Sequence, residues 1–383
     1  MCYHTAMKIP RAIQPTIVDR LRNTDKAVVL YGPRQSGKTT LANDVIAELG
    51  AKTLSVNADE LRHVDLLSSR DGRKLSDFVA GYELLFIDEA QRIPDIGINL
   101  KIIIDSHPGL KIMATGSSSF ELADRVAEPL TGRKWTFRLY PISILELASV
   151  YNRHELGEQL EDRLVWGSYP NLFNLEGRAL KLSYLRELTT DYLYKDILQL
   201  GRLRDSSRIR DLLRLLAFQI GSEVSLSELG TQLGMSKDTV ARYLDLLEKS
   251  FVLFRLGGFS RNLRKEVSKS SKYYFLDLGV RNALIDNFRS LAERDDVGKL
   301  WENFLVTERL KRNHYLHEEA ASYFWRTYTG AEIDYVEERS GALNGFEFKY
   351  GPKPARAPKT WSAAYPGATW QTVNRENWLD FAM

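Results

Sequence analysis

Cysteine is almost missing from this chain of 383 residues, the single one being Cys2. That excludes internal disulfides and cysteine-based zinc sites, and a reducing compartment is the expected setting. Six histidines are present without metal-ligand spacing. No apolar run approaches the length of a membrane span, and the opening MCYHTAMKIPR lacks the apolar core of a signal peptide. A cytoplasmic protein without membrane contact is therefore expected. Charge of one sign is also scarce: the formal net charge is +3, so any basic partner surface must be local. Repeats and low-complexity tracts are lacking. With 44% hydrophobic and 27% charged residues the chain reads as globular, and its length predicts two or three domains.

What is there begins with VVLYGPRQSGKTTLANDVI, Val28 to Ile46. An apolar run ends at Gly32, and Gly37-Lys38-Thr39 opens a segment in which Leu41, Val45 and Ile46 have helical spacing. Strand, glycine-rich loop and helix N-terminus in that order predict a P-loop. Gly32 and Gly37 let the backbone curl so that N–H groups across Pro33, Arg34, Gln35 and Ser36 point at phosphate oxygens, reinforced by the helix that carries Thr40. Lys38 is expected to reach the β and γ phosphates, and the Thr39 hydroxyl to ligate Mg²⁺.

A second apolar run, ELLFIDEAQRIP, reads as a strand buried on both faces and ending in Asp88-Glu89. In that position the first acid holds Mg²⁺ and the second polarises the attacking water. The strand expected over Lys52–Asn57 lies between the two motifs in the chain and suggests a sheet of the additional-strand type. Leu110–Thr115 predicts a further strand. Thr115 and Ser117 at its end are candidates to sense the terminal phosphate, while Gly-Ser-Ser is also ordinary loop composition. Arg133, after Gly132 and before the strand KWTFRLY, is a candidate for stabilising phosphoryl transfer within the subunit or from a neighbour; Arg125 is a second.

GPRQSGKTTL, LLFIDEAQRIP, TGSSS and LTGR followed by YPISILEL resemble the AAA-type ATPases of a prokaryotic family with an uncharacterised C-terminal domain, near the signal-transduction and archaeal AAA groups. The resemblance extends over essentially the whole chain and implies ATP rather than GTP. No Asn-Lys-x-Asp guanine signature is present. It also implies that the C-terminal half is nuclease-like.

Helical spacing dominates from Tyr140 to Gln199. Ser206–Tyr274 then reads as a winged helix-turn-helix, with Gly234 at the turn, Ser236 as a cap, and Arg261, Arg264, Lys265, Lys269 and Lys272 in a basic wing. Phosphate contact and protein docking both fit it. Further on, Asp334, then Glu347 and Lys349 on the next strand, match the spacing of restriction-endonuclease-like sites, with Glu302 adding a carboxylate from a helix. Such a set could hold a second Mg²⁺ or Mn²⁺. A hairpin with a charged solvent face fits equally well.

The predicted fold is α/β: a RecA/AAA-like P-loop ATPase over 1–140, a helical lid or linker over 141–205, a winged helix over 206–288 and an endonuclease-like domain over 289–383. The expected reaction is hydrolysis of MgATP by a homo-oligomer whose nucleotide state drives the C-terminal module, which acts on DNA. An ATP-gated nuclease and a non-catalytic ATP-dependent switch or scaffold are the alternatives.

Overall fold

The structure is a computed structural model that describes residues 8–117, 130–193, 206–261 and 270–383. Arg125, Arg264, Lys265 and Lys269 lie outside the described residues. Two compact units emerge, one holding Pro10–Pro141 with Lys249–Phe251, the other Ile142–Glu248 and Val252–Met383.

In the first unit, β1 (Ala27–Tyr31), β2 (Thr53–Asn57), β3 (Leu84–Asp88), β4 (Lys111–Gly116) and β5 (Lys134–Arg138) form one sheet in the order β2-β3-β4-β1-β5. All four pairings are parallel. β1 is buried at every position and β3 at all but Asp88, because helices cover both faces of a parallel sheet. Among these helices are α1 (Gln14–Asn23), α2 (Lys38–Leu49), α3 (Leu61–Leu67), α4 (Gly72–Val79) and α5 (Ile96–Ser106). The strand between β1 and β3 is β4, not the Lys52–Asn57 strand that lies between the motifs in the chain. Parallel neighbours are joined by long crossovers, so chain order does not dictate spatial order, and β2 forms the outer edge.

The second unit has a six-stranded sheet of β6 (Leu253–Gly258), β7 (Ser271–Phe275), β8 (Ala321–Arg326), β9 (Glu332–Arg339), β10 (Ala342–Phe348) and β11 (Thr369–Val373), ordered β11-β10-β9-β8-β6-β7. Helices Ser206–Phe218, Leu226–Leu233 and Lys237–Lys249 precede it. Gly234 closes the second of these at φ 61, a left-handed cap that glycine adopts freely, and Ser236 Oγ accepts from Thr239 N at 3.1 Å to start the third. The hairpin read as a wing is β6-β7, and its β6 edge pairs with β8, joining it to the strands that carry Asp334 and Glu347. Helix Val297–Tyr315 buries Trp301, Phe304 and Leu305 in a core shared with Tyr335, Phe346, Phe348 and Phe381.

Candidate functional site

The loop from Gly32 to Gly37 leaves the C-terminal end of β1 and turns into α2. Gly37 has φ 93, which a side chain would strain. Gly32 is constrained differently, since a Cβ there would sit 2.2 Å from the Leu139 carbonyl oxygen. Gln35 is also left-handed, at φ 59. Lys38 is buried and donates to the carbonyls of Gly32 at 3.0 Å and Pro33 at 2.9 Å, while Ser36 is wholly buried. The Ser36 hydroxyl finds no hydrogen-bond partner among the described residues. An ammonium, an unsatisfied buried hydroxyl and a curled backbone at a helix N-terminus fit a phosphate group.

Beside the loop, side chains from three segments meet. Thr39 Oγ1 donates to Asp88 Oδ2 at 2.9 Å, and Thr115 Oγ1 donates to Asp88 Oδ1. Thr115 also accepts from Glu89 N at 3.3 Å. Glu89 turns out of β3 at φ 55, and its carboxylate accepts from Gln91 Nε2, which also reaches Ser117 Oγ at 3.0 Å. A hydroxyl and a carboxylate side by side are hard oxygen donors of the kind Mg²⁺ takes. Thr115 and Ser117 thus stand with Asp88 and Glu89, and Thr40 lies on the exposed first turn of α2.

Three residues here escaped the sequence reading. Gln91 links Glu89 to Ser117. Arg11, buried just before α1, donates from Nη1 to Ser36 O at 2.7 Å and from Nη2 to Tyr140 O at 2.6 Å. Arg138 stands opposite Tyr31 at the loop end of β5, with an exposed side chain. Arg133 is at the wrong end for a role within its own subunit. It precedes β5 beside the start of β1, where Ala27 N donates to its carbonyl at 2.9 Å. A strand length, roughly 16 Å at ~3.3 Å per residue, separates it from the loop, and its Nε pairs with Asp105 Oδ1 at 3.2 Å.

Known proteins are similar to this chain in sequence and fold. Residues 24–148 match an AAA domain, 157–291 a domain of unknown function (DUF8612) and 297–367 another (DUF4143). The uncharacterized protein Rv2008c of Mycobacterium tuberculosis is 31% identical over 357 residues, covering 92% of this chain and 76% of the relative. The chain belongs to this family of AAA-type ATPases. The uncharacterized protein MJ1544 of Methanocaldococcus jannaschii is 23% identical over 331 residues, 82% of this chain and 72% of that one. The Walker-type ATPase PABY2304 of Pyrococcus abyssi shares the fold, with a TM-score of 0.52 at 19% identity over 71% of this chain and 94% of that chain.

The second unit of this AAA-type ATPase brings Glu302, Asp334 and Glu347 near one another. Phe346 pairs with Tyr335 across β10 and β9, so the flanking Glu347 and Asp334 lie opposite each other. Each already has partners. Glu302 Oε1 accepts from Lys272 Nζ at 3.2 Å and Tyr274 OH at 2.6 Å, Asp334 Oδ2 from Phe348 N at 2.8 Å, and Glu347 Oε1 from Lys349 Nζ at 2.7 Å. Among the described residues no three His, Cys, Asp or Glu are arranged to hold a metal ion. The expected second Mg²⁺ or Mn²⁺ does not fit this donor set. Lys272, expected in a phosphate-contacting wing, is 2% exposed and packed against carboxylates, so it cannot meet a nucleic acid backbone. Arg261 is exposed and pairs with Glu338 at 2.7 Å.

Burial, with Glu302 and Glu347 facing it, pushes the Asp334 carboxyl up to about 8. In the unfolded chain it titrates near ~4, so between those values the folded protein holds the additional proton. Stability contributed by this group therefore falls as pH rises through that window and levels off above it. Asp334→Asn has nothing to ionise, and its unfolding free energy is expected to gain on wild type progressively from about pH 4 to about pH 8. Urea melts at about pH 5 and about pH 9 check this, and a difference that ignores pH contradicts it.

Proposed function

We propose that this chain binds MgATP in the cradle from Gly32 to Thr40, hydrolyses it to ADP and phosphate, and passes its nucleotide state to the second unit. In this reading the loop N–H groups and Lys38 hold the phosphates, and Thr39 and Asp88 hold Mg²⁺. Glu89 takes the proton of the attacking water, with Thr115 and Ser117 positioned to register the terminal phosphate. The ion supplies positive charge against which the phosphate oxygens are neutralised. What carries the reading is the shared carboxylate of Asp88, bonded at once to the P-loop hydroxyl of Thr39 and to Thr115 at the end of the intervening strand.

Calorimetric titration with ATP and Mg²⁺ tests it. One site per chain is expected, with a dissociation constant on the order of 1 μM to 1 mM, lost in Lys38→Ala. A wild-type protein without affinity for adenine nucleotides would overturn the proposal.

A homo-oligomer belongs to the same proposal, because Arg133 would reach a nucleotide only across a subunit boundary. Mass measurement with and without ATP decides, and a monomer under both conditions removes Arg133 from the mechanism. In the second unit the helix order and following hairpin support a winged-helix reading of 206–288. Adjacent strands bearing Asp334 and Glu347 support a nuclease-like reading of 289–383, with 141–205 as the linker. DNA is the partner both readings name. Salt-sensitive binding of duplex DNA is expected, and its absence removes that partner.

A further inference from the structure

An endonuclease-like site works through a divalent ion held by free carboxylate oxygens. The corresponding cluster here already contains a cation. Lys272 projects from β7 with its Nζ 3.2 Å from Glu302 Oε1 and 2.6 Å from Glu332 Oε1. It is 2% exposed and lies 5.4 Å from the centroid of the Phe324 ring, so water screens these pairs little. Tyr274 OH donates to the same Glu302 oxygen at 2.6 Å, and Lys349 takes Glu347 at 2.7 Å.

We infer that Lys272 is the built-in cation of this cluster, its ammonium standing where an endonuclease-like site would hold a divalent metal, so that the C-terminal site carries no catalytic Mg²⁺ or Mn²⁺ while that lysine is in place. Two features support this. First, the carboxylates are already paired without a metal. Glu302 and Glu332 face the ammonium of Lys272, and Glu347 faces that of Lys349. Adding a dication would place it against a buried ammonium of the same sign. Second, the ammonium is held in place from several sides, by Glu302 at 3.2 Å, by Glu332 at 2.6 Å and by the Phe324 ring at 5.4 Å. Mg²⁺ and Mn²⁺ require several oxygens at once, and Glu302 Oε1 already accepts two donors.

The proposal is independent of the nucleotide site and is tested without nucleotide. Free Mn²⁺ is followed by electron paramagnetic resonance as the full chain is titrated. Wild type is expected to bind no ion more tightly than ~1 mM at this cluster. Lys272→Met, close in volume and without charge, is expected to gain one site at least ~10-fold tighter, lost again when Asp334→Asn is added. Lys272→Gln serves as the second variant should the methionine form fail to fold, and Lys272→Arg, which keeps the charge, is expected to behave as wild type. A wild-type site tighter than ~1 mM that Asp334→Asn or Glu347→Gln removes overturns the inference. So does a folded Lys272→Met protein that gains no ion, or wild-type DNA cleavage in Mn²⁺ that Lys349→Ala abolishes.

Discussion

Glu89→Gln is expected to lower steady-state phosphate release by about 10²- to 10⁴-fold while ATP affinity changes by less than about 3-fold. The substitution keeps shape and hydrogen-bonding reach but removes the basic carboxylate. Glu89 leaves β3 at φ 55, a left-handed conformation that directs its side chain away from the strand. Gln91 then holds the carboxylate, and the same Gln91 amide reaches Ser117 Oγ at 3.0 Å. The glutamate is thus oriented between the Asp88 end of β3 and the Ser117 end of β4, where the proposed mechanism has it activate a water attacking the terminal phosphate. Because Lys38, Thr39 and Asp88 are untouched, binding survives and only turnover falls. Phosphate release set beside calorimetric affinity separates the two, and unchanged turnover would falsify the assignment of Glu89 as base.

The proposed nucleotide site could be drawn from the sequence because its chemistry is local. One strand, one loop and one helix start are written consecutively from Val28 to Ile46, and ELLFIDEAQRIP repeats the logic for the acids. Which of the two roles left open for Arg133 its position allows was not legible, because a motif says nothing of strand direction. With β5 parallel to β1, a residue before β5 must lie at the end away from the loop. Arg11 and Gln91 lie outside any spacing rule, and their roles depend on carbonyls and side chains that folding brings to them. The second unit was harder still. Lys272 belongs to a basic segment in sequence, yet β6 and β7 join strands that come much later in the chain, and this surrounds the lysine with Glu302 and Glu332. Pairings between distant segments leave no periodic trace in either partner.

Arg11→Ala is expected to raise the KM for ATP by about 10- to 100-fold with a smaller fall in kcat. The guanidinium spans two carbonyls, Ser36 O in the phosphate loop at 2.7 Å and Tyr140 O just after β5 at 2.6 Å. Hydrogen bonds from a charged donor contribute about 1.5–3 kcal/mol each when buried. Gly32 holds the base of the same loop against Leu139, where even a methyl group would meet the carbonyl oxygen at 2.2 Å. The loop is therefore pinned at both its start and its middle to the segment leaving β5, and Arg11 supplies the second pin. Without it the N–H groups around Ser36 must be ordered by the nucleotide itself, so the cost falls on binding more than on chemistry. Arg11→Lys, able to reach one carbonyl at a time, should lie between the two. A lowered melting temperature with KM unchanged would make Arg11 a structural residue only, because a loop that keeps its shape without the guanidinium has no need of it to receive phosphate.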